Sequence, residues 1–127
     1  MSKAILALAL LTLPLLATAD KRCDDSLSDA YRKCIAGAMD QQMAEACLKE
    51  EWRRQDRRLN AAYAKVFFNM TPRQQQALRK AQRQWVRWRD AKCLVFAVDS
   101  GSGGRVDLRE CRARTEAFRA CELERMR

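Results

Sequence analysis

The stretch LNAAYAKVFFNMTPRQQQALRKAQRQW, residues 59–85, gives the clearest indication of the fold. Apolar residues recur every three or four positions before and after Thr71, which is the spacing of one face of an α-helix. Thr71 can cap a helix, Pro72 suits a first helical position and Gln74 can complete a capping box, so a new helix is expected to begin there. The stretch therefore predicts two long helices joined by a tight turn, an antiparallel hairpin.

Further helices are predicted on both sides of this hairpin. Apolar spacing carries the first long helix back to Asp40 and the second forward to Val98. A shorter helix is expected before them over residues 26–36, and Gly37 is its stop signal. After a glycine-rich interruption, Asp107 resembles a helix start, and the helical period then continues to the C-terminus. We therefore expect an all-α protein, a small bundle of about four helices.

Each long helix has one apolar stripe. Stripes of this kind pack against each other, so the second and third helices are expected to share a core. The stripe of the second helix comprises Leu48, Trp52, Leu59, Tyr63, Val66 and Met70. The stripe of the third helix comprises Leu78, Ala81, Trp85, Trp88, Val95 and Phe96.

The first nineteen residues have the layout of a secretory signal. Lys3 supplies a basic start, residues 4–16 form a short apolar run, and residues 17–19 are the small residues of a cleavage site. The apolar run is shorter than the roughly 20 residues that a membrane-spanning helix needs. We expect cleavage near Ala19, one helical domain over residues 20–127 without a transmembrane segment, and a periplasmic or secreted location.

Six cysteines in a chain with an export signal indicate disulfides, because exported proteins meet an oxidising environment. Their even number predicts three bridges, but six cysteines allow fifteen connectivities and the sequence alone does not choose among them. A metal site is not expected, since the chain has no histidine and no Cys-x-x-Cys pair. The cysteines are Cys23, Cys34, Cys47, Cys93, Cys111 and Cys121.

Catalysis has little support in the residue types present. Without histidine, the usual Ser-His and Cys-His nucleophile arrangements are impossible, and no glycine-rich phosphate loop precedes a helix. Adjacent carboxylates such as Glu50 and Glu51 do not face each other on a helix. We expect a binding protein with no catalytic residue and no cofactor.

Several polar residues fall inside the apolar stripes. Asp56 lies on the stripe of the second helix, and Gln82 and Arg89 lie on that of the third. A buried charge is costly without a partner, so we expect an Asp56–Arg89 pair, joined by Gln82, Asn60 or Arg119. The favoured interpretation is a buried polar network that fixes helix register, and the alternative is a ligand cleft.

The formal net charge of +9 favours anionic partners. A solubilising charged surface is the simpler explanation, because solvated helix faces are commonly charged. The alternative function is binding of an anionic envelope polymer or lipid, and no specific nucleic-acid partner is expected. The arginines proposed for such a face are Arg53, Arg54, Arg57, Arg58, Arg79, Arg83 and Arg87.

The residue types and their spacing over about Tyr31 to Leu123 resemble the pattern of a known family. The set comprises Cys34, Cys47, Glu51, Asp56, Leu59, Asn60, Tyr63, Ala81, Gln82, Arg83, Trp85, Arg89, Asp90, Cys93, Gly103, Gly104, Cys111, Thr115, Arg119 and Leu123. In combination they resemble the LprI-type lysozyme inhibitors, which implies inhibition of lysozyme in the envelope and a protein partner. The resemblance also implies the bridges Cys34–Cys47 and Cys93–Cys111, which leaves Cys23 and Cys121 as a third pair.

One exposed feature of the matched region is a glycine-rich loop. We expect it to be either a binding loop or a plain linker, since loops often carry recognition. Its residues are Ser100, Gly101, Ser102, Gly103 and Gly104. Animal-type lysozymes are strongly basic and would repel a basic inhibitor at long range. Either a local acidic patch provides the attraction or the target is a different one.

Overall fold

The computed structural model describes residues 22–126, and the predicted signal segment lies outside them. The elements are α1 (Asp29–Ala36), α2 (Gln41–Phe68), α3 (Pro72–Ala97), a short 3-10 turn (Gly101–Gly103) and α4 (Gly104–Arg125). No strand occurs in this part of the chain. The predicted all-α class and the number of helices are confirmed.

Local capping explains where the two long helices begin. The side chain of Asp40 accepts a hydrogen bond from the Met43 N–H at 2.8 Å, which ends the loop before α2. At α3 the predicted capping box is present: Thr71 Oγ1 accepts from Gln74 N, and Gln74 Oε1 accepts from Thr71 N at 2.9 Å. Hydrogen bonds between residues three positions apart therefore determine where α2 and α3 begin.

α1 begins later than predicted, at Asp29 rather than residue 26. Ser28 has extended backbone and acts as the N-cap, its Oγ accepting from Tyr31 N at 3.1 Å. Glu51 of α2 holds Ser28 there, because its carboxylate accepts from the Ser28 backbone N–H at 2.8 Å and from the hydroxyl at 2.6 Å. A contact distant in sequence thus decides this boundary.

α4 begins earlier than predicted, at Gly104 rather than Asp107, which instead lies in its first turn. The 3-10 turn leads directly into the helix, because Gly103 already has right-handed helical backbone. Gly104 is buried, and a Cβ atom there would lie 2.8 Å from the backbone oxygen of Ala97. Glycine is therefore needed where α4 starts against the end of α3.

The main packing partner of α2 is α4 rather than α3. Three small residues of α4, Ala113, Ala117 and Ala120, are fully or almost fully buried and let the two helix backbones approach closely. α3 packs chiefly on α4, and contact between α2 and α3 is limited. One such contact lies at the turn, where Gln75 Nε2 donates to the Phe67 carbonyl oxygen at 3.0 Å. The predicted tight turn is confirmed. The prediction that α3 packs along α2 was wrong, because α3 packs chiefly on α4.

The core consists of two apolar clusters. Buried members of the first are Leu27, Tyr31, Cys47, Leu48, Ala113 and Ala117. Buried members of the second are Leu59, Ala62, Val66, Leu78, Ala120 and Leu123. Both clusters draw on α2 and α4, so this helix pair supports the rest of the fold.

The second half of the α3 stripe is not part of the core. Trp88, Val95 and Phe96 expose 54%, 71% and 56% of their surface. The expectation that they face α2 was wrong, because α3 lies mainly on α4. The result is a row of uncovered apolar side chains on a protein surface, which is a common mark of a binding site.

Three disulfides connect the elements. Cys34–Cys47 joins α1 to α2, Cys93–Cys111 joins α3 to α4, and Cys23–Cys121 fastens the N-terminal segment to α4. These are the pairs that the family resemblance implies. Within residues 22–126 no helix combines the length and apolar character needed to cross a bilayer.

Candidate binding groove between α3 and α4

The predicted polar network has a different centre in the structure. Arg89 of α3 pairs with Glu116 of α4, its Nη1 lying 2.6 Å from Oε1, rather than with Asp56. Asp56 instead accepts from Asn60 Nδ2 at 3.2 Å on the surface of α2. The reason is the packing order: α3 faces α4, so the buried carboxylate that meets Arg89 belongs to α4.

Gln82 has a separate role from Arg89. Its Oε1 accepts from Arg119 Nε at 3.3 Å, which links α3 to α4 farther along the interface. Arg119 also pairs with Glu122 at 3.1 Å. The predicted set is therefore divided among three places: Asp56 with Asn60 on α2, Arg89 at Glu116, and Gln82 at Arg119.

Glu116 is the buried carboxylate that the sequence interpretation missed. It is completely buried, and Trp52 Nε1 donates to Oε1 at 3.1 Å. Loss of hydration raises the pKa of Glu116 to about 7, although the hydrogen bond from Trp52 and the charge of Arg89 act in the opposite direction. The sequence contained a signal for this site. Glu116 shares a helix face with Ala113, Ala117 and Ala120, and a face of small residues indicates close packing against another helix.

A second buried carboxylate, Glu51, is fully satisfied by hydrogen bonds. Burial favours its neutral form, but donation from Ser28, Gln55 and Arg54 outweighs it and lowers the pKa of Glu51. The distance from Gln55 Nε2 to Oε1 is 2.8 Å. This cluster holds α1 against α2 and has no opening to a groove.

A groove with a volume of about 950 Å³ lies between α3 and α4. One end of the N-terminal segment closes one side of it. Its aromatic lining residues are Trp85, Trp88, Phe96 and Phe118. A cavity of this size with aromatic walls is typical of a site that binds another molecule.

Cationic side chains hold the two tryptophans of the groove. Lys92 Nζ lies 5.0 Å from the centre of the Trp88 ring and donates to Thr115 Oγ1 at 3.3 Å. The guanidinium carbons of Arg89 and Arg119 lie 5.4 Å and 5.9 Å from the Trp85 ring centre. These cation–π contacts orient the rings before any partner arrives.

The charge of the groove is opposite to that of the chain. Five carboxylates and three cations line it, although the chain as a whole is strongly basic. The carboxylates are those of Asp24, Asp25, Asp107, Glu110 and Glu122, and the cations are Lys92, Arg114 and Arg119. The groove therefore has an acidic rim around an aromatic floor.

Two ion pairs neutralise part of this charge. Arg114 pairs with Glu110 at 2.7 Å, and Arg119 pairs with Glu122. Arg114 also reaches the backbone oxygen of Asp25 at 3.5 Å, which ties the N-terminal segment to α4. Asp24 and Asp25 follow Cys23 directly, so the Cys23–Cys121 bridge positions both carboxylates at the groove.

The predicted binding loop lies outside this groove. None of the residues 100–104 contributes to the described lining. Gly101 has a positive φ of 53°, and Gly104 is buried against Ala97. The sharp connection between α3 and α4 therefore explains Gly101 and Gly104.

The described residues contain no group of three or more carboxylates, cysteines or histidines that could hold a metal ion.

The model of the family described as lysozyme inhibitor LprI matches residues 34–123.

The chain belongs to the LprI lysozyme inhibitor family. The match includes α2, α3 and nearly all of α4, and thus both helices of the groove. Asp24 and Asp25 lie outside the matched range. No curated protein and no solved structure matches the chain.

Proposed function

We propose that this LprI-family protein is an exported inhibitor that binds a basic lysozyme through the groove between α3 and α4. The observation that carries the proposal is the acidic rim on an otherwise basic protein. The family description names lysozyme as the target of inhibition. The negatively charged groove is electrostatically complementary to a basic lysozyme.

Aromatic side chains provide the short-range part of the interaction. Trp88 and Phe96 expose more than half of their surface and can be covered by a partner. Large aromatic residues dominate the binding energy of protein interfaces when they become fully desolvated. The two rings lie two helical turns apart on α3 and would anchor the partner along the groove.

Carboxylates at the rim provide orientation. Asp24, Asp25 and Asp107 lie at the groove in addition to the two carboxylates that pair with arginine. Complementary charge at an interface raises the association rate and excludes misoriented partners more than it raises affinity. A locally acidic groove therefore overcomes the difficulty that two basic proteins repel at long range.

The predicted export signal and the three disulfides are consistent with an inhibitor that acts outside the cytoplasm. The N-terminal residues have the layout of a secretory signal, and three disulfides require an oxidising compartment to form. A periplasmic or secreted protein of this kind meets lysozyme outside the cytoplasm. Since the chain has no histidine, binding rather than catalysis is the function that its residues support.

The test is inhibition of a basic animal-type lysozyme and of an acidic lysozyme by the oxidised protein. We expect inhibition of the basic enzyme, and a loss of about 30-fold in the inhibition constant for the Trp88→Ala, Phe96→Ala variant, equivalent to about 2 kcal/mol. The matched control is Met39→Ala, Phe68→Ala, since both residues are highly exposed and lie outside the groove. No inhibition of either enzyme would refute the function, and equal loss in both variants would refute the groove.

A further inference from the structure

The positive charge of the protein is concentrated on α3. This helix contains seven basic residues and one acidic residue, Asp90, so that six of the nine net positive charges of the chain come from it. α2 and α4 each mix basic and acidic residues more evenly. A charged surface that served solubility alone would not require this concentration.

Three arginines of α3 form a row. Arg79, Arg83 and Arg87 are four residues apart, which places successive members about 6 Å apart along the helix axis. They line a shallow depression of about 450 Å³, together with Tyr63 of α2, and no carboxylate lines it among the described residues. The arginine row is therefore a cationic strip with an aromatic edge.

The arginines of α2 differ from this row. Arg53 and Arg57 both lie within 4 Å of Glu50, at 3.7 Å and 3.8 Å. In contrast, Arg83 and Arg87 have no carboxylate within ion-pair distance in the described part of the chain. The surrounding protein thus neutralises Arg53 and Arg57 and leaves Arg83 and Arg87 available to an external anion.

One member of the row is also oriented in advance. The guanidinium carbon of Arg79 lies 4.7 Å from the centre of the Phe67 ring, which restricts its side chain. A guanidinium that is already oriented loses less freedom when it binds an anion. Its stacking therefore favours recognition of a ligand over a purely solvated role.

The arginine row and the acidic groove lie on different faces of α3. At 100° per residue, the centre of the row and the centre of the α3 residues that line the groove are about 175° apart. A ligand on the row would leave the groove open. Two partners of opposite charge could then occupy the same protein at once.

We propose that the arginine row binds a linear phosphate polyanion, which would hold the protein on an anionic polymer of the envelope. Guanidinium groups bind phosphate through paired hydrogen bonds, and a line of them fits an extended chain of phosphates better than it fits one isolated anion. A membrane surface is a poorer fit, because the exposed apolar side chains of α3 lie toward its C-terminal end and not beside this row.

The test uses the oxidised protein and long-chain inorganic polyphosphate, with pyrophosphate as the short probe. We expect affinity to increase with chain length and to fall steeply with salt. In Arg83→Gln, Arg87→Gln the affinity should fall at least about tenfold, and the slope of log affinity against log salt should decrease by about two. The matched control Arg53→Gln, Arg57→Gln removes the same charge from α2 and should stay within about twofold of the wild type.

Two results would overturn the proposal. One is equal weakening in the two variants, which would indicate net charge alone. The other is absence of polyphosphate binding by the wild type, including the case in which it binds only to vesicles that contain phosphatidylglycerol. Thermal melting of both variants serves as the folding control, and the proposal stands independently of lysozyme inhibition.

Discussion

Arg89 of α3 donates a hydrogen bond of 2.6 Å to the completely buried carboxylate of Glu116 in α4. Trp52 of α2 donates to the same oxygen at 3.1 Å. One carboxylate therefore joins the three long helices at a point between their apolar contacts. Arg89 itself exposes only 13% of its side chain, so both charges of the pair lie in the protein interior.

The first prediction concerns the effect of pH on Glu116. Its pKa in the folded protein is about 7, whereas an exposed glutamate has 4.5. Between these values the folded state keeps a proton that the unfolded state releases, so the free energy of unfolding should decrease as pH rises from about 4.5 to about 7. The contribution is at most about 3 kcal/mol. Urea denaturation at pH 5 and pH 8 should show that Glu116→Gln lacks this decrease.

Arg89 provides the check on this prediction. In Arg89→Leu the carboxylate loses its cation, so the variant should be destabilised by about 3 kcal/mol at pH 8 and by less at pH 5, where Glu116 is neutral. Equal destabilisation at both pH values would contradict the raised pKa. The raised pKa would also be contradicted if the free energy of unfolding increased from pH 5 to pH 8 in both the wild type and Glu116→Gln.

The second prediction concerns the start of α4. Gly104→Ala would place a Cβ atom 2.8 Å from the backbone oxygen of Ala97, so the ends of α3 and α4 must move apart. We expect a loss of about 1–3 kcal/mol in unfolding free energy, as for other overpacked sites. The matched control is Gly103→Ala, whose Cβ would meet no atom within 4 Å. Similar stability of the two variants in urea would show that the contact is easily relieved.

The third prediction compares two disulfides. Cys23–Cys121 spans 98 residues and Cys34–Cys47 spans 13. Because a longer closed loop restricts the unfolded chain more, Cys23→Ser, Cys121→Ser should cost about 4–5 kcal/mol and Cys34→Ser, Cys47→Ser about 3 kcal/mol. Urea denaturation of the two variants gives the order. The reverse order would mean that native contacts around α1, rather than loop length, determine the loss.

The fourth prediction concerns the rim of the groove. Asp25→Asn, Asp107→Asn removes two exposed carboxylates and should weaken inhibition of a basic lysozyme by a factor of about five, since each surface charge contributes about 0.2–1 kcal/mol. The effect should appear mainly in the association rate and should shrink at high salt. Asp99→Asn is the control, because Asp99 lies outside the groove and asparagine tolerates its φ of 67°. Equal rates for both variants would argue against electrostatic guidance by the rim.

Sequence reasoning located the helices well because their signals are local. The capping residues Asp40 and Thr71 bind backbone groups within three positions, and the apolar period lies within each helix. It failed at the start of α1, where Ser28 is held by Glu51, 23 residues away. A boundary decided by a distant contact cannot be derived from its own neighbourhood.

Periodicity, capping and motif spacing were enough to predict the all-α class, the two long helices with their turn, and the membership of the LprI family. Tertiary packing was needed to show that α4 covers α2, that Glu116 meets Arg89, and that Trp88 and Phe96 remain exposed. An apolar stripe shows which face of a helix avoids water but not which neighbour covers it. The choice of neighbour follows from the small residues of α4, which allow the closest approach of two helices, and it leaves part of the α3 stripe free to form the groove.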